Sequence, residues 1–311
     1  MARFLKLAAV GGEPLQLSGE SGGIFPGEFV CSWLQNKLDL ILCDHPQLIV
    51  LPETCDIPAE FSPEEKQDYV RRRENRILTF LCRIAKSNRT YLAYPTIRLD
   101  SDGFFRNSTY LIDCVGRIQG IYDKNKLTIG EMEELDMRCG TAPAVLNCPI
   151  GRVGLVTCFD LNFLSLQQQY QKLRPELILF SSAFHGGSLQ AQWALANRAY
   201  FVSAVERLPC TVVSPTGQLL ASSTNYTSSL VHTVNLDYAV LHLDFNWGKL
   251  QKAKKKYGEK IQIQDPGLLG AVLLTSETRE FSVADVMEEF EMESLDCYLQ
   301  RAEALQKQYQ K

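Results

Sequence analysis

The stretch Gly151-Arg-Val-Gly-Leu-Val-Thr-Cys158-Phe-Asp160-Leu-Asn-Phe163 joins a short apolar run to a cysteine. Within it, Val153–Thr157 is rich in β-branched and aliphatic residues, which is typical of a buried strand. Cys158 follows directly, and the next segment, Leu164–Lys172, has the spacing of a helix. A strand that turns sharply into a helix exposes the side chain at the bend and directs backbone N–H groups towards a bound molecule. This stretch therefore predicts an α/β fold with Cys158 at the end of a strand.

Short apolar runs alternate with longer polar stretches along the rest of the chain, which predicts sheets covered by helices. The predicted strands are Phe4–Val10, Leu48–Leu51, Thr90–Ala93, Ser108–Asp113, Val153–Thr157, Leu177–Phe180, Phe201–Ala204, Cys210–Val213 and Ala239–Leu243. The predicted helices are Gly27–Cys43, Ser62–Ser87, Leu164–Lys172 and Ser188–Arg198, with a further amphipathic helix over Ser282–Lys311. Hairpin turn residues at Asp100–Gly103 and Ser214–Gly217 require antiparallel neighbours, so we expect mixed sheets.

Composition and charge exclude several classes of protein. The chain has 311 residues, 45% of them apolar and 22% charged, as in ordinary globular proteins. Its net charge of −4 provides no basic excess for phosphate contacts, so nucleic acid is not expected as the main partner. No apolar run approaches the roughly 18 residues of a membrane span, and the first residues lack a long apolar segment with a cleavage site. We therefore expect a cytoplasmic protein that does not bind membranes.

The ten cysteines are scattered along the chain, and no two of them form a Cys-x-x-Cys pair. With four histidines and no zinc-ligand spacing, the sequence predicts neither a metal site nor a disulfide framework. Most of these thiols are expected to be small buried hydrophobic groups, and taken alone Cys158 could be one of them. A thiol beside a cation and a helix N-terminus would instead be a candidate nucleophile.

A glutamate ends the apolar run Leu48-Ile-Val-Leu-Pro-Glu53. Active sites of α/β proteins usually form at the carboxyl ends of strands, and a partly buried carboxylate there can act as a general base. Taken alone, the ordinary interpretation is that Glu53 is exposed to water at the end of its strand.

Two lysines flank an asparagine in the segment Gly120-Ile-Tyr-Asp-Lys124-Asn-Lys126-Leu127. A buried ammonium could stabilise an oxyanion that develops during a reaction. Taken alone, the segment is more simply interpreted as a loop with two solvated lysines.

The order of these three segments resembles that of the nitrilase superfamily of carbon–nitrogen hydrolases, and of its amidase-like branch. Members have Pro-Glu after an apolar strand, then Tyr-x-Lys-x-His-Leu, then Gly-x-x-x-Cys-x-Asp/Glu. The chain has Pro52-Glu53, Tyr122-Asp-Lys124-Asn-Lys126-Leu127 and Gly154-Leu-Val-Thr-Cys158-Phe-Asp160 in the same order. Further similarities, such as Asn107-Ser108 and the hairpin near Pro215, extend the resemblance over about residues 4–245.

The resemblance implies a four-layer α-β-β-α sandwich with two mixed β-sheets. It implies that residues 1–270 form the carbon–nitrogen hydrolase domain and that residues 271–311 form a C-terminal helical extension, which could lie at a dimer interface. Because family members usually pair through the helices near the nucleophile, a homodimer is expected.

The resemblance also implies hydrolysis of a non-peptide amide or carbamoyl C–N bond of a small molecule. Cys158 would attack the carbonyl carbon, Glu53 would act as the base, and Lys124 with the backbone N–H of Phe159 would bind the oxyanion. Because thiol, base and cation all come from side chains, no metal or other cofactor is expected. Nitrile hydrolysis, acyl transfer to an amine, or a non-catalytic scaffold that kept the fold remain alternatives.

The resemblance further implies a second active-site glutamate, for which Glu131, Glu133 and Glu134 are the candidates. Spacing back from Gly140 favours Glu133, which we select, whereas spacing forward from Lys124 favours Glu131.

The candidates for substrate binding, besides Phe159, follow the next predicted strand. Phe184, His185 and Trp193 are expected to contact the substrate, although Trp193 could equally pack a helix against a sheet.

Departures from the family pattern leave the substrate open. Lys126 stands where many members have histidine, and Ala196 where many have glutamate. Phe159-Asp160 favours the amidase-type branches over nitrile-cleaving members, which commonly have Trp-Glu. A separate Gly-x-Ser-x-Gly match at Gly19–Gly23 is followed by loop-forming residues, so a serine hydrolase is disfavoured.

Overall fold

The strands come from short runs of aliphatic, β-branched and aromatic residues, as the sequence pattern predicts. A computed structural model describes residues 1–17 and 27–310. In this part of the chain the strands are β1 (Phe4–Ala9), β2 (Leu48–Val50), β3 (Tyr91–Leu99), β4 (Phe105–Ile112), β5 (Ile118–Asp123), β6 (Ala144–Cys148), β7 (Gly151–Thr157), β8 (Leu177–Ser182), β9 (Tyr200–Val205), β10 (Thr211–Val213), β11 (Leu219–Ser222), β12 (Leu230–Asn235), β13 (Tyr238–His242), β14 (Ile261–Gln264) and β15 (Ala271–Ser276).

The α-helices occupy the longer polar stretches between strands. They are α1 (Gly27–Leu42), α2 (Pro63–Arg73), α3 (Arg76–Asn88), α4 (Ile129–Glu133), α5 (Leu164–Leu173), α6 (Ser188–Asn197), α7 (Trp247–Tyr257), α8 (Val283–Glu289) and α9 (Leu295–Tyr309). No helix in the described ranges is long and apolar enough to cross a membrane.

Contacts divide the chain into a unit of Lys6–His232 and a unit of Met1–Leu5 with Thr233–Lys311, so that the division falls within β1 and β12. One large sheet has the strand order β12-β1-β2-β3-β4-β5, and the other has the order β11-β10-β9-β8-β7-β6. In each sheet three neighbouring strands are parallel, β1 to β3 and β7 to β9, and β4, β6 and β10 pair with them in antiparallel fashion. The predicted mixed sheets are therefore confirmed.

Helices cover the outer face of each sheet in the Lys6–His232 unit. α1 and α3 bury an aliphatic stripe that includes Leu34, Leu38 and Leu81 against the β1–β4 strands. α5 and α6 bury Tyr170 and Trp193, among others, against β7 to β9. Each such side chain contributes roughly 1.5–3 kcal/mol when it is fully buried. The order helix, sheet, sheet, helix confirms the predicted α-β-β-α sandwich.

The inner faces of the two sheets meet between β4 and β7, where the hydroxyl oxygens of Thr109 and Thr157 lie 3.3 Å apart. Both threonines are buried. Thr157 is the last residue of β7, and Thr109 pairs with Tyr122 next to the end of β5, so this contact brings the loops after β5 and β7 to one region. The candidate site lies there.

The predicted helix over Ser62–Ser87 is wrong in one respect, since the structure has two helices in its place. Ser62 caps α2 by accepting a hydrogen bond from the backbone N–H of Glu65, as its capping pattern indicates. Glu74 then has φ = +50°, a left-handed conformation that no continuing helix allows, and α3 begins after Asn75.

The C-terminal region is not entirely helical, which corrects the extension predicted for 271–311. β15 is a fully buried strand of six residues and lies between β13 and β14 in an antiparallel sheet. The apolar run Ala-Val-Leu-Leu explains this strand. The helix predicted over Ser282–Lys311 is also interrupted, because Phe290–Ser294 separates α8 from α9.

Candidate active site

Cys158 lies at the bend that follows β7, in a backbone conformation with φ = +47°. Such a conformation is uncommon for a residue other than glycine and is concentrated at functional sites. A short 3₁₀ helix, Cys158–Asn162, continues from the bend. The side chain is half-buried. The predicted turn from strand to cysteine is therefore present, with a 3₁₀ turn before the helix α5.

Asp160 stabilises this bend from the buried side. Its carboxylate accepts hydrogen bonds from the backbone N–H of Thr157 at 3.0 Å, the hydroxyl of Tyr122 at 2.7 Å and the backbone N–H of Lys126 at 2.8 Å. Burial raises the pKa of Asp160 to about 6, against the effect of these three donors. One side chain thus joins the loop after β7 to the loop after β5.

Glu53 lies three residues after β2 and is almost fully buried. One carboxylate oxygen accepts hydrogen bonds from Asn107 Nδ2 at 2.8 Å and from Lys124 Nζ at 2.9 Å. The other oxygen accepts the backbone N–H of Ala183 at 3.1 Å. The adjacent Thr54 has φ = +47°, so the chain turns sharply beside this carboxylate. Glu53 is therefore held by donors from three separate segments.

Lys124 follows β5 directly, and only 1% of it is exposed. Its ammonium contacts Glu53 at 2.9 Å and both carboxylate oxygens of Glu131 at 3.0 and 2.9 Å. Its backbone N–H donates to the carbonyl oxygen of Asn107 at 2.8 Å. The lysine is buried as an ion pair and not solvated, which contradicts the ordinary interpretation of its segment.

Glu131, and not Glu133, occupies the position expected for the second glutamate. It is the third residue of the short helix α4, where its carboxylate reaches back to the backbone N–H of Thr128 at 2.8 Å. The same carboxylate meets Lys124 and accepts the side-chain N–H of Asn107 at 2.8 Å. Glu133 is exposed, because two residues along a helix turn its side chain to another face. The selection of Glu133 is therefore corrected to Glu131.

Burial and neighbouring charges set the pKa values of Glu53, Lys124 and Cys158. Burial opposes the ionised form of Glu53, but the Lys124 ammonium and the hydrogen bonds from Cys158, Lys124 and Asn107 outweigh burial, so the pKa of Glu53 is lowered. Burial also opposes the ammonium of Lys124, yet Glu53 and Glu131 raise its pKa. Burial, with the neighbouring charge of Glu53, raises the pKa of the Cys158 thiol to about 12. At neutral pH a protonated thiol therefore faces an ionised carboxylate.

A cavity of about 250 Å³ opens on this cluster, and Cys158, Glu53, Lys124 and Glu131 line it. Its apolar wall is formed by Ile57, Pro58, Ala59, Ile97, Leu135 and Met137. This volume suits a small molecule, and the wall would bury the apolar part of such a molecule.

The predicted substrate contacts do not line this cavity in the described part of the chain. Trp193 is fully buried, donates its ring N–H to the carbonyl oxygen of Leu161 at 3.0 Å and packs on Tyr170. It is a core residue that joins α6 to the sheet, so its predicted substrate contact is wrong. The alternative interpretation, that it packs a helix, is correct.

Phe159, Phe184 and His185 are half-buried but lie outside the cavity lining. Phe159 packs edge-to-face on Phe163, and Phe184 packs edge-to-face on Phe180. His185 Nδ1 accepts the backbone N–H of Gly187 at 3.2 Å, and burial lowers its pKa. None of these three side chains therefore forms part of the cavity wall, although the backbone N–H of Phe159 remains the group that follows Cys158.

Sequence reasoning missed three residues of the site. Asn107 was noted only as part of the family pattern, yet it links the two glutamates. Ser182, at the end of β8, lies close enough to the Cys158 thiol to lower its pKa. Glu206, directly after β9, lines the cavity. The positions of Ser182 and Glu206 at the ends of β8 and β9 were the available signal, since such ends meet at one edge of a sheet.

The cysteines are all free, but only Cys55 and Cys210 are fully buried, so the prediction that most are buried is wrong. In the described ranges, no group of three or more His, Cys, Asp or Glu side chains is arranged to hold a metal ion. The Gly-x-Ser-x-Gly match at 19–23 lies outside the described residues.

A family model described as carbon-nitrogen hydrolase matches residues 44–241, which is more than half of the chain and includes all of the residues above that contact Lys124. The chain belongs to the carbon-nitrogen hydrolase family. This membership confirms the resemblance inferred from Glu53, Lys124 and Cys158 in order.

Named relatives of this carbon-nitrogen hydrolase include amidases. It is 26% identical over 184 residues to the deaminated glutathione amidase of Yersinia enterocolitica, covering 56% of this chain and 59% of that protein. It is 24% identical over 220 residues to the omega-amidase NIT2 of Xenopus tropicalis, covering 62% of this chain and 78% of that protein. The match to the nitrilase and fragile histidine triad fusion protein of Drosophila melanogaster spans 47% of that protein. The chain thus spans about half of the length of the first of these relatives that it matches.

Solved structures of the family share the fold of this carbon-nitrogen hydrolase. The carbon-nitrogen hydrolase of Helicobacter pylori G27 has a TM-score of 0.65 at 16% identity, covering 75% of this chain and 90% of that one. Nit3 of Saccharomyces cerevisiae, a member of branch 10 of the nitrilase superfamily, has a TM-score of 0.65 at 17% identity, covering 79% of this chain and 94% of that one. At these identities the likeness concerns the fold.

Proposed function

We propose that this chain hydrolyses a non-peptide amide or carbamoyl C–N bond of a small molecule through a thioester on Cys158. The observation that carries the proposal is that the carboxylate of Glu53, paired with the buried ammonium of Lys124 at 2.9 Å, lines the same cavity as the Cys158 thiol. A nucleophile, its base and a cation at one cavity are the groups that acyl transfer requires. The amidase names of two relatives support the choice of an amide substrate.

Acylation begins when the Cys158 sulfur attacks the carbonyl carbon of the substrate. Because the thiol pKa is raised to about 12, little thiolate is present at neutral pH, and Glu53 removes the thiol proton during the attack. The C–N bond of the tetrahedral intermediate then breaks, and Glu53 returns that proton to the leaving amine. The products of this step are a thioester and a free amine.

Deacylation consumes one water molecule. Glu53, ionised again, accepts a proton from water as the water oxygen attacks the thioester carbon. The C–S bond breaks, the thiol regains its proton from Glu53, and a carboxylic acid leaves. Among the side chains of the protein, only Glu53 and Cys158 change their protonation state, and both are restored at the end of the cycle.

The oxyanion of both tetrahedral intermediates is assigned to the Lys124 ammonium and the backbone N–H of Phe159. Lys124 is held in place by Glu53 and Glu131, so it needs no reorganisation as charge develops. Loss of one such donor typically costs about 10²–10³-fold in rate. Glu131 and Asn107 act as positioning residues for Lys124 and Glu53.

We propose that the protein is cytoplasmic and forms a homodimer. Ten free cysteines are what a reducing compartment allows. Leu164, at the start of α5 beside the nucleophile loop, is 64% exposed and offers an apolar contact for a second copy. Light scattering after size exclusion, compared between wild type and Leu164→Lys, tests the dimer, which the charged variant should weaken.

A panel of small primary amides, carbamoyl compounds and nitriles, read out by ammonia release, tests the reaction. Wild type and Cys43→Ala, a matched control at an exposed cysteine, should turn over the same amides. Cys158→Ala should be inactive while folding normally, and intact-mass spectrometry should detect an acyl adduct only when Cys158 is present. Normal turnover by Cys158→Ala would refute the proposal.

A further inference from the structure

Glu206 is the third residue at the edge of the sheet that presents Cys158. The strands β7, β8 and β9 are parallel neighbours, and they end directly before Cys158, at Ser182 and directly before Glu206. The backbone N–H of Glu206 donates to the carbonyl oxygen of Ser182 at 3.2 Å, which fixes its position beside the end of β8. Its side chain lines the same cavity as Cys158.

The carboxyl group of Glu206 is half-buried and has no hydrogen bond or ion pair within residues 1–17 and 27–310. Two cations, Arg207 and Lys37, act on this carboxyl group through their charge, but the hydrogen bonds of both go to other groups. Arg207 pairs with Glu13 at 3.2 Å, and Lys37 donates to the carbonyl oxygens of Gly11 and Glu13 at 3.0 Å each. A partly buried carboxylate without a partner is costly, and a ligand that supplies a donor would remove that cost.

The other charges that line the cavity favour a cationic ligand over an anionic one at this point. Glu53, Glu131 and Lys124 are joined in one network of two carboxylates and one ammonium. Lys66 is the remaining cation of the lining, so three carboxylates face two ammonium groups. Burial, and then the charge of Glu53, raise the pKa of Glu206 to about 7, so a nearby positive charge would favour its ionised form.

We propose that Glu206 is a specificity-determining residue that binds an ammonium or guanidinium group carried by the substrate, beside the amide that Cys158 attacks. The proposal rests on the proposed function, because it assigns a substrate class to the same cavity. It needs no change in the reaction steps, since Glu206 contacts a part of the substrate that does not react.

Two substrates of equal length separate charge from shape. In 4-aminobutanamide an ammonium group stands where pentanamide has a methyl group, so the two differ mainly in charge. Wild type should prefer the ammonium compound at least tenfold in kcat/KM, and the ratio should rise as pH increases through about 7, where Glu206 ionises. In Glu206→Gln the ratio should fall to about one, whereas the exposed matched control Glu133→Gln should keep the wild-type ratio.

Binding to Cys158→Ala makes the test independent of turnover. Calorimetry should give at least a tenfold lower Kd for 4-aminobutanamide than for pentanamide, and the difference should disappear in Cys158→Ala/Glu206→Gln. Equal affinity, no measurable binding of either compound at millimolar concentration, or a preference that survives Glu206→Gln would overturn the role of Glu206. Loss of turnover with the binding preference intact would instead count against the proposed reaction alone.

Discussion

The ammonium of Lys124 lies 2.9 Å from a carboxylate oxygen of Glu53, and both side chains are almost fully removed from water. Neither charge would be tolerated in this position alone, because burying an unpaired charge costs several kcal/mol. The pair therefore couples the stability of the fold to the protonation state that the reaction needs. Removing either partner should affect both properties.

We expect Lys124→Met to lose activity and about 3–5 kcal/mol of unfolding free energy near pH 7.5, because Glu53 and Glu131 are left buried without their cation. In wild type the lowered pKa of Glu53 provides stability that is present above its unfolded pKa and is lost as pH falls through its folded pKa. Without Lys124, burial raises the pKa of Glu53, so the sign reverses and the variant should gain stability as pH falls. Urea unfolding at about pH 5 and 7.5 measures this.

Lys124→Met/Glu131→Gln is the matched control for that reversal. Neutralising Glu131 removes one of the two unpaired carboxylates, so part of the stability should return while activity stays absent. If Lys124→Met loses less than about 1 kcal/mol, or shows the same pH trend as wild type, the ion pair does not have the energetic role assigned to it.

Glu131→Gln and Glu133→Gln distinguish the two neighbouring glutamates. Glu131 holds the Lys124 ammonium with both of its oxygens, so its amide variant should lower kcat by about 10²-fold, the size expected when an oxyanion donor is misplaced. Glu133 is exposed, and its variant should retain wild-type kcat and KM. Steady-state kinetics on one amide distinguishes the two variants, and equal losses in both would contradict the assignment of Glu131 as the glutamate that holds Lys124.

The sequence predicts most of the sheet architecture because each central strand is a continuous apolar run. Leu48–Val50 and Leu177–Ser182 are buried along their whole length, so their residues carry a strong signal. Weaker strands such as β5, in which three of the six residues are exposed and one is buried, were not predicted because their pattern resembles a loop. The break between α2 and α3 at Glu74 was not predicted, because neither glycine nor proline marks the positive φ of this residue.

The residues of the candidate site could be predicted from the sequence where each one directly follows a recognisable strand. Glu53, Lys124 and Cys158 could be named from motif order. Glu131 could not be separated from Glu133 by counting, because the start of a five-residue helix decides which side chain turns inwards. Trp193 was assigned to the site because it is a large aromatic residue near a motif, but its side chain is buried in the core.

Asp160→Asn tests the support of the nucleophile loop. The carboxylate accepts three hydrogen bonds, two from backbone N–H groups and one from Tyr122, and an amide oxygen cannot replace both carboxylate oxygens. We expect a loss of about 1–3 kcal/mol in unfolding free energy and a lower kcat, because the loops that carry Cys158 and Lys124 are no longer joined. Thermal unfolding and steady-state kinetics measure the two effects, and Tyr122→Phe, which removes one of the three donors to Asp160 and the acceptor of the Asn125 backbone N–H, should show a smaller loss. A variant with unchanged Tm would show that Asp160 does not join these loops.

Glu53→Gln separates the base from the cation. Without the carboxylate, no group takes the Cys158 proton during attack, so acylation near neutral pH should slow by about 10²–10⁴-fold. The charge of Glu53 contributes to the raised thiol pKa, whereas Lys124 lowers it, so the thiol pKa should fall in this variant. The acylation rate of Glu53→Gln should therefore rise about tenfold per pH unit in the alkaline range, as thiolate forms beside Lys124, while the wild-type rate stays flat. Quenched-flow measurement of the acyl adduct against pH checks both the slow rate near neutral pH and the rise in the alkaline range. An acylation rate equal to that of wild type at pH 7 would show that Glu53 is not the base.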